Sequence, residues 1–331
     1  MSDEKNRFNL FNFFNRDGKG VEKGSELRVL EKPNIANFFK LLGRRFSQIT
    51  AINMFYVFGN FPIFFALFAA TGYTSVSSVS PAAGLYTALK GSLYYTAGSS
   101  AALNSPVIAS LNGIYGKQIV YTVPTTLTYI LYALALLFIF TFGIVNVGCT
   151  YLLRNMMRGE HLFIWKDFWY AVKRNLKQAL IFGVIDIVIS VLLVYDLLWF
   201  NVNMHVSSMM MTLYFMSYAM ILIYFFMRMY IYPMLVTFDL SIFKMFKNAI
   251  LFTVLGIKRN LMCFLGTVIV LAINLAFYFA FMPVGIVLPF IITVALLNYI
   301  SVYCAYPVIK KYMIDPYYKE IKETVIDDTH E

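Results

Sequence analysis

Hydrophobic residues fall in long uninterrupted blocks along this chain, not in the alternating or one-faced patterns of soluble elements. No Asp, Glu, Lys or Arg occurs from Phe46 to Leu89, from Gln118 to Leu153, from Leu197 to Met227 or from Asn260 to Ile309. A helix needs about 20 apolar residues to cross the hydrocarbon core, and backbone groups in lipid must pair internally, so such blocks read as helices. The last block is long enough for two, broken at Met282-Pro283-Val284-Gly285. The pattern predicts six spans, at about 49–71, 123–153, 179–200, 208–236, 261–282 and 285–308. The fold class is all-α: a polytopic membrane helical bundle of about six transmembrane helices plus short amphipathic interfacial helices.

Composition agrees with this reading. The 331 residues are 60% hydrophobic and 13% charged, against about a quarter charged in soluble domains. A soluble enzyme, a disordered chain and a disulfide scaffold are excluded. The net charge of +10 could point to nucleic acid or to membrane topology, and its distribution decides. Lys and Arg accumulate on the cytoplasmic side of membrane proteins. With the N-terminus inside, only Lys90 and Lys117 of the 27 Lys and Arg fall on the outer side. The expected location is the cell membrane, multi-pass, with both termini cytoplasmic, the lipid bilayer as surroundings and no nucleic acid as partner. Three regions follow: a cytoplasmic N-terminal arm at 1–33, a membrane domain at 34–312 and a cytoplasmic tail at 313–331. The start lacks a signal-peptide pattern, so the first span is expected to act as the targeting signal.

Between the blocks, several stretches have helical spacing. Asn34 is a candidate N-cap for an interfacial helix carrying Ile35, Phe38, Phe39, Leu42 and Phe46 among basic residues. Phe8, Leu10, Phe11, Phe13 and Phe14 form either a surface-binding patch or sticky positions in a flexible arm. The 72–122 segment is long for a connection between spans. It reads as an ordered extracytoplasmic cap with short helices, Ala82 to Tyr95 being one, or as a disordered insertion. Two inner loops open on an Asp: DFWYAVKRNLKQA at 167–179 and DLSIFKMFKNAI at 239–250. Asp167 and Asp239 are read as capping short basic helices. Phe168, Trp169, Lys173, Arg174 and Lys177, with Phe243, Lys244, Phe246 and Lys247, are candidates for docking a partner. An ordinary interfacial anchor has the same pattern.

Ionisable groups inside spans are expensive and usually face a partner or water. Asp186 and Arg228 each lie about eight residues from the inner end of their spans, roughly 12 Å deep at about 1.5 Å per residue. They are expected to pair, with Asn146 as a neutral member of the cluster. Such a cluster is either a clamp holding helices together or an ion or proton site. No catalytic constellation occurs: His161, His205 and His330 are far apart, and H-E-x-x-H, Walker A and G-x-S-x-G are absent. Cys149, Cys263 and Cys304 lack metal-ligand spacing and read as packing residues. No cofactor, metal or catalytic residue is expected.

RGEHLFIWKDFWYAVKRNLKQA (158–179), YPMLVTFDLSIFKMFKNAI (232–250) and NMFYVFGNFPIF (53–64) resemble stretches of the YesL-like family of bacterial multi-pass membrane proteins. The resemblance spans most of 34–312, and the long 72–122 segment departs from it. It implies an accessory membrane component of carbohydrate uptake or its regulation. Its partners would be an ABC importer permease, ATPase or binding protein, and it carries over no catalytic residues. The alternative is an autonomous small-solute transporter or channel using the Asp186, Arg228 and Asn146 cluster.

Overall fold

Asn34 opens the first helix of the computed structural model, which describes residues 34–81 and 118–316. The expectations for the 1–33 arm, for a helix at Ala82–Tyr95 and for the end of the tail lie outside the described residues. Helix α1 (Ile35–Arg44) is capped as its sequence predicts, with Asn34 Oδ1 accepting the Asn37 N–H at 2.8 Å. One face packs: Leu41 is buried, and the Phe38 ring lies 4.9 Å from Tyr299 and 5.2 Å from Tyr303. The other face leaves Ile35 and Phe39 exposed beside Lys40 and Arg44. That is the two-sidedness of a helix lying at an interface.

The described residues form two compact units, Phe61–Phe138 and the remainder. In the smaller one, α3 (Pro62–Ala70) packs on α4 (Thr126–Ala135). Between them, β1 (Ser75–Pro81) and β2 (Gln118–Pro124) pair antiparallel, from Ser75 opposite Pro124 to Pro81 opposite Gln118. This hairpin corrects the reading of 72–122 as loop and short helices at its two ends. Val76 and Val79 in one strand and Ile119, Val120, Tyr121, Thr122 and Val123 in the other are residue types that favour strands. Thr128 Oγ1 donates to Thr74 O at 2.8 Å, and Thr125 Oγ1 also donates to Thr74 O, closing the base.

The larger unit contains α2 (Phe46–Gly59), α5 (Phe138–Met157, whose first residue belongs to the smaller unit), α6 (Ile164–Asn203) and α7 (Ser208–Thr237). It continues with α8 (Ile242–Leu255), α9 (Ile257–Ala280), α10 (Met282–Leu288) and α11 (Val294–Ile309). A π-helical turn, Pro289–Thr293, joins α10 to α11. Its displaced backbone groups are met by Asn53, a fully buried residue of α2. Asn53 Nδ2 donates to Pro289 O at 3.0 Å and Phe290 O at 2.7 Å, and Oδ1 accepts the Ala295 N–H at 2.8 Å.

Five helical stretches are long and apolar enough to cross a membrane: Thr126–Met157, Ile164–Asn203, Ser208–Thr237, Ile257–Ala280 and Met282–Ile314. The pair Phe46–Gly59 and Pro62–Ala70 makes six if counted as one span. The fold is an all-α membrane-type bundle. Two expectations change. The first span is not continuous: it breaks at Asn60–Phe61, and Pro62, which lacks an N–H, takes the first turn of α3, where no donor is needed. The basic stretch at 167–179 and the span after it are one 40-residue helix, with only Asn175 leaving helical geometry. Neither Gly nor Pro interrupts that stretch, so the helix runs through.

Candidate functional site

Helix α6 presents Asp186, fully buried, to a face of α7 that carries a polar residue at every fourth position. Tyr224, Arg228 and Tyr232 are spaced one turn apart and so stack on one side of the helix. Arg228 Nε donates to Asp186 Oδ2 at 2.8 Å, Tyr232 OH donates to the same oxygen at 2.6 Å, and Tyr224 OH donates to Oδ1 at 2.7 Å. Both carboxylate oxygens are therefore engaged. The guanidinium also lies 5.4 Å from the centres of the Phe142 and Tyr232 rings, a favourable contact with their negative faces.

The geometry depends on how closely α5 and α6 cross. A Cβ on Gly143 would overlap the Ala179 carbonyl and the Gly183 Cα, and one on Gly183 would overlap Gly143. The backbones thus meet directly, as small residues allow between membrane helices. Phe142 and Asp186 adjoin this crossing, one residue from Gly143 and one turn from Gly183.

Asn146 does not join the cluster. Its Nδ2 turns back to Phe142 O at 2.8 Å, one turn earlier on its own helix. The expected third member is replaced by two tyrosines. Their four-residue spacing about Arg228 is readable in the sequence, but it is inconspicuous in a chain with 24 Tyr.

A second buried cation, Arg154, was not anticipated. It is 7% exposed. Its Nη1 donates to Val236 O at 2.9 Å and Thr237 Oγ1 at 3.2 Å, in the last turn of α7. Its Nε and Nη2 donate to Asn155 Oδ1 at 3.2 and 2.8 Å, and Tyr151 lies under it at 4.9 Å. In the sequence it stands just past the uncharged block that ends at Leu153. Among the described residues no group of three or more His, Cys, Asp or Glu converges.

The docking candidates divide. On α6, Trp169, Lys173, Arg174 and Lys177 are exposed, together with Trp165. Phe168 is not available: it is buried against Phe55 at 4.5 Å, over the backbone of Gly148. On α8, Phe243, Lys244 and Lys247 are exposed, whereas Phe246 packs edge-on to Phe182 at 5.8 Å. Both corrections have one cause: these phenylalanines lie on the buried faces of amphipathic helices. Asp167 works from within the first turn of α6, its Oδ2 accepting the Phe163 N–H at 2.8 Å. Asp239 is exposed and precedes Ser241, the cap residue of α8, so it does not cap that helix. Gln178 Nε2 donates to Leu240 O at 3.1 Å and brings the α6 and α8 basic stretches together.

Residues 123–197 match a family profile described as "Protein of unknown function, DUF624". YesL-like proteins carry this domain. The matched segment contains α5 and the part of α6 bearing Asp167, the exposed basic residues and Asp186, but not Arg228. Searches of curated proteins and of solved structures find no significant match.

Proposed function

We propose that this protein is a non-catalytic accessory component of an ABC-type carbohydrate importer or of its regulation, in the cell membrane with both termini cytoplasmic. The observation that carries the reading is the saturation of Asp186. Its two oxygens accept from Tyr224, Arg228 and Tyr232. An ion or proton path needs a carboxylate that can exchange partners, whereas a clamp needs one that cannot. The cluster acts as a clamp between α6 and α7. The basic and aromatic faces of α6 and α8 then form the working surface, where Trp165 is 68% and Phe243 80% exposed. The resemblance to YesL-like proteins and the DUF624 match support this reading, and the charge asymmetry of the loops supports the orientation.

Affinity purification of the full chain in mild detergent, with quantitative identification of co-purifying proteins, tests it. The expected outcome is an importer permease or ATPase, lost when Lys173, Arg174, Lys177, Lys244 and Lys247 are changed to Gln. Purification of a lone bundle under all detergent conditions would count against the proposal. So would solute uptake by the purified protein in vesicles that Asp186→Asn abolishes.

A further inference from the structure

Tyr56 is 4% exposed, and among the described residues its hydroxyl meets no hydrogen-bond partner. One turn further along α2, Asn60 donates from Nδ2 to Tyr56 O at 2.9 Å, while its buried Oδ1 is also unmet. This part of α2 packs closely on α5: Cys149 Sγ lies 3.9 Å from Ile52 O, and a Cβ on Gly59 would overlap Val145. On α5, Phe142, Asn146 and Thr150 recur at every fourth residue and so share one side. The Thr150 hydroxyl lies beside that of Tyr56 without closing a bond. At the other end of this side, the Phe142 ring lies 5.4 Å from the Arg228 guanidinium. Arg228 is near enough for its charge to act on the Tyr56 hydroxyl. Its Nε is taken by Asp186, but among the described residues its two Nη groups meet no acceptor, and the side chain is 35% exposed. Lipid headgroups are out of reach: Arg228 stands 10 residues along α7 from Tyr218 and 9 before Thr237, roughly 13–15 Å from either at about 1.5 Å per residue. An unpaired hydroxyl and an unpaired guanidinium edge are each costly inside a bundle.

We propose that the seam between α2, α5 and α7 binds a small cluster of ordered water, which joins Tyr56 and Thr150 to the Nη edge of Arg228. The groups along the seam are of both kinds. The Arg228 Nη groups only donate, Asn60 Oδ1 only accepts, and the hydroxyls of Tyr56 and Thr150 do either. Water donates and accepts, and a buried water needs about two to four polar partners, which this set supplies. An anion would suit Arg228 but not Asn60 Oδ1, and Asp186 already balances the charge of Arg228. The cluster is no proton path through the carboxylate, since both oxygens of Asp186 are engaged. Its effect is to hydrate a cation far from either membrane surface and to tie α2 to the clamp of α6 and α7. The assignment does not rest on an importer partner.

Radiolytic hydroxyl-radical labelling of the purified full chain in detergent tests it, because radicals made from a bound water attack the side chains it touches. Tyr56 is expected to be oxidised nearly as fast as Tyr170, which is 52% exposed, and far faster than Tyr299, which is fully buried and bonded to Phe38 O. Oxidation of Tyr56 as slow as that of Tyr299 overturns the proposal. Tyr56→Phe then separates a hydrated hydroxyl from an orphaned one. Loss of a bond to water is expected to lower the melting temperature by about 2–4 °C. A rise, or no change, means that the hydroxyl had no partner and overturns the assignment. The double change of Asp186→Leu with Arg228→Met removes the fork, and is expected to bring Tyr56 labelling down towards that of Tyr299. Undiminished labelling in the folded double variant overturns the link to Arg228. If that variant does not fold, the wild-type labelling and Tyr56→Phe decide the matter. A melting temperature raised by chloride relative to gluconate, with the rise lost in Tyr56→Phe, would make the seam an anion site and overturns the water assignment.

Discussion

Arg154 and Arg228 are both arginines held within the helical bundle, yet their charges are compensated in different ways. Arg228 sits in the interior of α7, where helical carbonyls are bonded along the helix except where Pro233 leaves Met229 O without its donor, and its acceptor comes from another helix as a carboxylate. Arg154 sits against the last turn of α7, where the final carbonyls have no partner in their own helix. It bonds Val236 O, Thr237 Oγ1 and the Asn155 amide, all neutral, and it adds positive charge where the helix dipole is negative. A helix end can thus receive a buried cation without an acid, whereas here the cation of a helix middle is met by one.

Four substitutions test that contrast, from the largest effect to the smallest. Asp186→Ala strands the charge of Arg228 and leaves two phenols without acceptors. It is expected to cost about 3–5 kcal/mol, seen as a large drop in thermal stability in detergent. Arg154→Met removes the charge together with its demands and strands only neutral acceptors. The expected loss is about 1–3 kcal/mol by the same measurement, and a loss as large as that of Asp186→Ala would erase the distinction. Tyr224→Phe removes one of three donors to Asp186 and is expected to cost about 1 kcal/mol. The paired change of Asp186→Leu with Arg228→Met removes donor and acceptor charges together. Its expected cost is smaller than that of Asp186→Ala, because well-packed apolar replacements of a buried ion pair are often close to neutral. If the double change is instead the worse, the two charges contribute something other than mutual compensation.

The charge gaps located the helices well, because exclusion of ionised side chains from hydrocarbon is strong and local. They could not show where helices continue through polar sequence. The stretch from Trp165 to Gln178 is too charged to read as a span, yet it holds helix without a breaker and extends α6. The reverse happened at Asn60–Phe61, where the apolar block continues but the helix does not. At the site, Asp186 and Arg228 were legible because isolated charges stand out in apolar sequence. Tyr224 and Tyr232 were not, since aromatic residues serve equally as packing and as donors. Asn146 was misread for a related reason: an amide can satisfy itself on its own helix. The two strands were missed because the length of the segment, rather than its β-branched residues at 119, 120, 122 and 123, governed the reading.

The bonds made by Asn53 bear on how the chain is built. Its partners Pro289 and Phe290 lie 236 and 237 residues further along. At about 5–20 residues per second, synthesis of the intervening chain takes on the order of ten seconds or more. Throughout that time the first apolar helix carries an amide whose final acceptors do not yet exist. Insertion of that helix cannot be finished when it leaves the ribosome. It must be held by water, lipid headgroups or the insertion machinery until the last helix arrives, which makes biogenesis of the bundle a process completed from both ends at once.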